Sequence, residues 1–142
     1  MKVLLAIDDS KFSEAATRAV ITQCQRPGTE IRVLHVIDLG KPIRTSYAER
    51  LRQQFLKQGE ELVARVAKRL RAEGLDVVTA VEEGDARACI IDNLVRWQAD
   101  LVVLGSHGRT GLEHFLMGSV AEAVAHHAPC SVEIVRLGSA TQ

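Results

Sequence analysis

The chain has 142 residues, 46% of them hydrophobic, and its 18 basic side chains balance 18 acidic ones. That is apolar material for one core, and residues 1–142 read as a single globular domain. Zero net charge argues against nonspecific binding to DNA or RNA, which needs a basic face, and no run approaches the roughly eighteen apolar residues of a membrane span.

The N-terminus, "MKVLLAIDDS", lacks the longer apolar region and small-residue cleavage site of a signal peptide, so it reads as a first strand (2–7) of a cytoplasmic protein. Asp8 and Asp9 follow, and either suits the N-cap of a helix starting near Ser10. On that helix Phe12, Ala16, Ala19 and Val20 share one face. A second strand, "IRVLHVI" (31–37), leads into the loop "DLGKPIRTSY" (38–47). Lys41 and Arg44 in that loop are either solvated or, with the loop folded over a ligand, counter-charges to phosphate. A long charged helix carries Leu51, Phe55, Leu62, Val66 and Leu70 at helical spacing.

The third strand, "LDVVTAV" (75–81), is rich in β-branched residues, and Glu82 and Glu83 after it read as a solvated turn. Ile90, Ile91, Leu94 and Val95 form the next helical stripe, followed by a strand "DLVVLG" (100–105). Val120, Ala123, Val124 and His127 make a fourth helical stripe, and "CSVEIVRL" (130–137) a fifth strand. Continuous apolar runs suit strands covered on both faces. Strands alternating with helices call for an α/β fold, an open doubly wound parallel sheet of flavodoxin-like or Rossmann-like order. In such sheets ligands bind at the carboxyl ends of strands, here after "LLAI" and "VVLG".

Some candidate chemistry is set aside. Cys24, Cys89 and Cys130 are odd in number and far apart, and read as buried reduced thiols. His126 and His127 point to different sides of a helix, so shared coordination with Cys130 is awkward and no protein metal site is assigned. Ser106-His107 does not sit in the G-x-S-x-G of a hydrolase elbow, and no catalytic residue is assigned.

The stretch "GSHGRTGLEHFLMGS" (105–119) fits neither the P-loop, since Ser119 and not Lys follows Gly118, nor the spacing of G-x-G-x-x-G. Gly118-Ser119 precedes a helix, whose unpaired N–H groups and positive dipole end attract anions. The same residues open an S-x-x-E capping box, Ser119 to Glu122, and both readings stand on the residues alone. Gly105 and Gly108 read as close-approach positions for a sugar and phosphates.

Gly105-x-x-Gly108, nine residues, then Gly118-Ser119 resembles the ATP-binding signature of the universal stress protein family. The resemblance extends through "VLLAIDDSKFSEAA", "VLHVID" and "ADLVVLGSHGRTGLEHFLMGSVAEAVAHHAPCSVEIVR". It implies a five-stranded sheet of order 3-2-1-4-5 with helices on both faces, Rossmann-like and of the adenine nucleotide alpha hydrolase kind. It implies ATP as ligand, with Mg2+ or Mn2+ carried on its phosphates. By the same resemblance Asp8 faces the adenine and Val36 lines the base pocket. Leu104 and Gly105 meet the ribose, and Gly108, Arg109, Gly118, Ser119 and Val120 surround the triphosphate. A homodimer paired through strand 130–137 is implied too, as is a nucleotide-dependent sensor or regulator of the stress response. A slow ATPase or phosphotransferase, and a nucleotide-free dimerisation module, are the competing readings.

Overall fold

The computed structural model describes residues 1–40, 45–108 and 117–138. Five strands, β1 (Lys2–Ala6), β2 (Glu30–Ile37), β3 (Asp76–Glu83), β4 (Leu101–Gly105) and β5 (Ser131–Val135), alternate with α1 (Lys11–Gln23), α2 (Ser46–Ala72), α3 (Ala86–Trp97) and α4 (Ser119–His127). The strands form one sheet of order β3-β2-β1-β4-β5, and all four pairings are parallel. Both the expected class and the expected strand order are therefore found.

Side-chain alternation along each strand divides the core into two layers. From β1, Val3 and Leu5 join Ala16, Val20, Val63, Ala67 and Leu70 beneath α1 and α2. Leu4 and Ala6 point the other way, to Ile90, Leu94, Ala121 and Val124 beneath α3 and α4. Each fully buried leucine or valine contributes roughly 1.5–3 kcal/mol, so the two layers together outweigh any single surface contact.

The helical stripes differ from expectation where small residues lie closest to the sheet. On α2 the buried positions are Gly59, Val63, Ala67 and Leu70, whereas Leu51, Phe55, Leu62 and Val66 are half-buried flanks. On α4 the buried residues are Ala121 and Val124, and His127 is exposed in the last turn. On α3 Val95 is exposed, and the inward position belongs to Asn93, whose Nδ2 donates to Cys89 O at 2.8 Å and Glu82 Oε2 at 3.0 Å. Glu82 and Glu83 end β3 instead of forming a solvated turn. Glu83 Oε2 accepts from Arg52 Nε at 2.6 Å, tying the first turns of α2 to the strand end.

Gly59 is buried in the middle of α2, where glycine costs about 1 kcal/mol relative to alanine. A Cβ there would lie 2.9 Å from His35 Cδ2 and 3.2 Å from Val81 Cγ1. The glycine makes room for an imidazole between helix and sheet.

Candidate functional site

Chain winding reverses between the neighbouring strands β1 and β4, and ligands of open parallel sheets bind at the carboxyl ends of strands at such a switch point. The turn after β1 is fixed by a compact hydrogen-bonded knot. Asp8 Oδ1 accepts from Ser10 N and Ser13 Oγ, both at 2.9 Å, while Ser13 Oγ accepts from Asp8 N at 2.8 Å. Ser10 caps α1 by accepting from Ser13 N, so neither Asp8 nor Asp9 is the N-cap. Asp8 instead keeps its second oxygen, Oδ2, on the side of Gly108, 3.3 Å from where a Cβ on that glycine would be.

At the end of β4, Gly105 is held against α1. A Cβ there would meet Phe12 Cβ at 2.6 Å, and Phe12 C and O at 2.8 and 2.9 Å. Its missing side chain thus serves the packing of α1 against β4. Ser106, 1% exposed, locks the strand exit from both sides. Its N–H donates to Val135 O at 2.9 Å, and its carbonyl accepts from Gly118 N at 2.7 Å. His107 stacks on Phe12 with ring centroids 5.0 Å apart, and its Nδ1 lies 3.0 Å from Ser106 Oγ.

That Gly118–Ser106 bond brings the start of α4 against the exit of β4. The N-cap of α4 is Gly118, with φ −74° and ψ 165°, and Glu122 N donates back to its carbonyl at 3.0 Å. Ser119 is therefore the first helical residue, one position too late to cap, and the capping box is not formed. Elsewhere Ser10, Thr45 and Asp85 cap α1, α2 and α3 with side-chain oxygens. Glycine at the N-cap supplies no such oxygen, and the first amides of α4 have no side-chain cap.

Between these elements lies a cleft of about 120 Å³. Of the sequence-derived residues it gathers Asp8, Val36, Leu104, Gly105, Gly108 and Val120 into one wall. Gly118 and Ser119 do not line it but immediately precede Val120, which does. Arg109, like Lys41 and Arg44, lies outside the described residues. Sequence reasoning passed over Ala6, Ile7, Ser13, Leu34, Ala86, Ile90, His107 and Ala121, which complete the wall. Most are core residues at strand or helix ends, and only His107 and Ser13 carried a chemical signal. Ligand pockets usually measure about 300–1,000 Å³, so this cleft has room for a ring system, with anything longer running out over the rim. A larger hollow of about 600 Å³ between α1 and α2 shares only Asp8 and Ser13 with the cleft and is otherwise lined mainly by helix residues.

Besides Asp8, Ser13 and His107, the main chain contributes to the polar side of the cleft. The β1–β2 ladder pairs Ala6 with Leu34, and Ile7 N still donates to Leu34 O at 2.9 Å. One step on, alternation along the ladder turns Val36 N–H and C=O toward β1 as well. By then β1 has left the sheet, and the Ile7 carbonyl accepts instead from His35 Nδ1 at 2.8 Å. Val36 thus presents an adjacent donor and acceptor at the cleft, besides the apolar surface expected of it. Burial pushes the thiols of Cys24, Cys89 and Cys130 up from their usual range.

Comparison with known proteins places this architecture. The family model described as the universal stress protein family matches residues 1–136. Universal stress protein MJ0531 of Methanocaldococcus jannaschii is 31% identical over 139 residues, spanning 95% of this chain and 81% of that protein. Among solved structures, the hypothetical protein MJ0577, the subject of a structure-based function assignment, superposes with a TM-score of 0.87 at 25% identity, over 97% of this chain and 96% of that one. A universal stress protein family protein from Arabidopsis thaliana, solved with AMP bound, has the same fold, with a TM-score of 0.74 at 19% identity over 99% of this chain and 94% of that one. Strand order, the glycine-rich exit of β4 and a whole-length match agree: the chain belongs to the universal stress protein family.

Proposed function

We propose that this protein binds an adenine nucleotide, with ATP as the expected form, and acts as a nucleotide-dependent regulator in a stress response. The observation that carries the reading is the start of α4, where a glycine N-cap leaves the first amides without a side-chain cap beside a ring-sized apolar cleft. A purine would enter among Val36, Leu104 and Asp8, with ribose toward Leu104 and Gly105. The phosphates would then reach Gly108, Gly118, Ser119 and Val120, with Arg109 as a fixed cation. Adenine offers an amino donor next to a ring acceptor, which complements the paired C=O and N–H of Val36. The AMP held by the Arabidopsis relative supports the same ligand class. Among the described residues no cluster of carboxylate, imidazole or thiol groups could hold a metal ion, so a Mg2+ or Mn2+ ion would ride on phosphate oxygens and water.

The test is to denature the purified protein and chromatograph what it releases, then titrate the emptied protein with ATP, ADP and AMP. An adenine nucleotide in the released fraction, or saturable binding below millimolar concentration, is the expected result. The absence of both would refute the reading.

The free edge of β5 supports a second proposal, a twofold dimer through residues 130–137. Among the described residues the strand pairs only with β4, and none of its five residues is fully buried in the single chain. An uncovered edge of this kind invites pairing. Ile134→Pro removes a ladder donor and is expected to shift sedimentation from dimer to monomer. A wild-type protein that sediments as a monomer at tens of micromolar refutes it.

A further inference from the structure

The "VLHVID" stretch contributes one group that the site above leaves unassigned. His35 is half-buried, and its Nδ1 lies 2.8 Å from Ile7 O. A carbonyl only accepts, so Nδ1 carries the hydrogen and donates. The carbonyl it takes is the one that Val36 N–H would reach if the β1–β2 ladder continued one step past Leu34. The imidazole therefore ends the ladder. Two features show that the ring is given its place deliberately. Gly59 is the buried glycine of α2, and a Cβ there would stand 2.9 Å from His35 Cδ2. Ile7 and Val36, on either side of the fork, both line the cleft.

We propose that His35 is a specificity-determining positioning residue: by engaging the Ile7 carbonyl it holds the β1–β2 fork open and leaves the Val36 N–H and C=O facing the edge of a purine. The inference rests on the nucleotide reading and deepens it, because it names the group that selects a 6-amino over a 6-oxo purine. With the ring removed, Ile7 O is free to take Val36 N–H, closing the ladder and withdrawing the donor from the base. A site that offers a fixed donor and acceptor rejects a ligand with the reverse pattern, because its polar groups are then left unpaired.

The experiment compares wild type, His35→Leu and His35→Asn by calorimetric titration with AMP, IMP and ribose 5-phosphate. Leucine fills the space without a donor, whereas asparagine places an N–H where Nδ1 stands. Wild type is expected to prefer AMP over IMP by about tenfold or more, the effect of one hydrogen bond of roughly 1.4 kcal/mol. His35→Leu should bring that ratio to near one without changing ribose 5-phosphate affinity, and His35→Asn should restore it. An unchanged ratio in His35→Leu, or a parallel fall in ribose 5-phosphate binding, overturns the role of His35. A wild type that binds neither AMP nor ribose 5-phosphate overturns the nucleotide reading, and this inference falls with it. Should His35→Leu fail to fold, amide exchange in wild type decides. Val36 N–H is expected to exchange rapidly in the free protein and to gain protection on adding AMP, and a slowly exchanging Val36 in the free protein sinks the proposal.

Discussion

Replacing Gly118 by aspartate is expected to weaken nucleotide binding at least about 100-fold, close to 2.7 kcal/mol, while the protein stays folded. Two effects act in the same direction. The N-cap position has extended φ and ψ, and aspartate is among the most favoured residues there because its oxygen accepts from the amides of the first turn. The new side chain would occupy the donors that glycine leaves open, and its negative charge would stand where phosphate is proposed to lie. Fold stability is pulled both ways. Capping adds only a few tenths of a kcal/mol over glycine, and the new Cβ must sit 3.2 Å from His107 Cα and 3.4 Å from Ser106 O, so the β4 exit has to give by a few tenths of an ångström. Gly118→Asn separates charge from capping, since asparagine caps without a formal charge. Titration calorimetry on the two variants, with thermal unfolding alongside, is the measurement. Normal nucleotide affinity in Gly118→Asp would move the phosphates away from α4.

The fold was readable because continuous apolar runs and helical stripes both survive in a sheet covered on two sides, and the strand order followed from the resemblance. What the sequence hid was the use made of individual small residues. Gly105 and Gly118 look alike in a signature. Yet a side chain on the first would strike α1, and the second is a helix N-cap against the β4 exit. Ser119-x-x-Glu122 has the letters of a capping box, but the helix begins at Ser119 itself, a shift of one residue that no local propensity fixes. Gly59 in α2 and His35 in β2 lie 24 positions apart, and only their meeting explains a glycine inside a long helix. Asn93 was missed for a related reason. Its burial depends on Glu82 at the end of a different element.

Gly105→Ala is expected to cost stability first and ligand only as a consequence, which separates the two roles the residue could have. Were the glycine there to admit a sugar, alanine would leave unfolding unchanged and weaken nucleotide affinity alone. The structure instead puts the new Cβ 2.6 Å from Phe12 Cβ and 2.8 and 2.9 Å from Phe12 C and O, all inside the closest approach that carbon tolerates. Phe12 is 6% exposed and lies in the first turn of α1, so the helix itself must shift to relieve the overlap. Overpacking typically costs 1–3 kcal/mol, and with backbone atoms on one side the loss should be on the order of 3 kcal/mol, read from urea midpoints at unchanged slope. Trimming Phe12 to alanine cannot rescue the variant, because alanine keeps the three atoms in conflict. The double variant should be at least as unstable as the sum of its parts. A double variant markedly more stable than that sum would show that the phenyl ring, and not the helix backbone, sets the distance between α1 and β4.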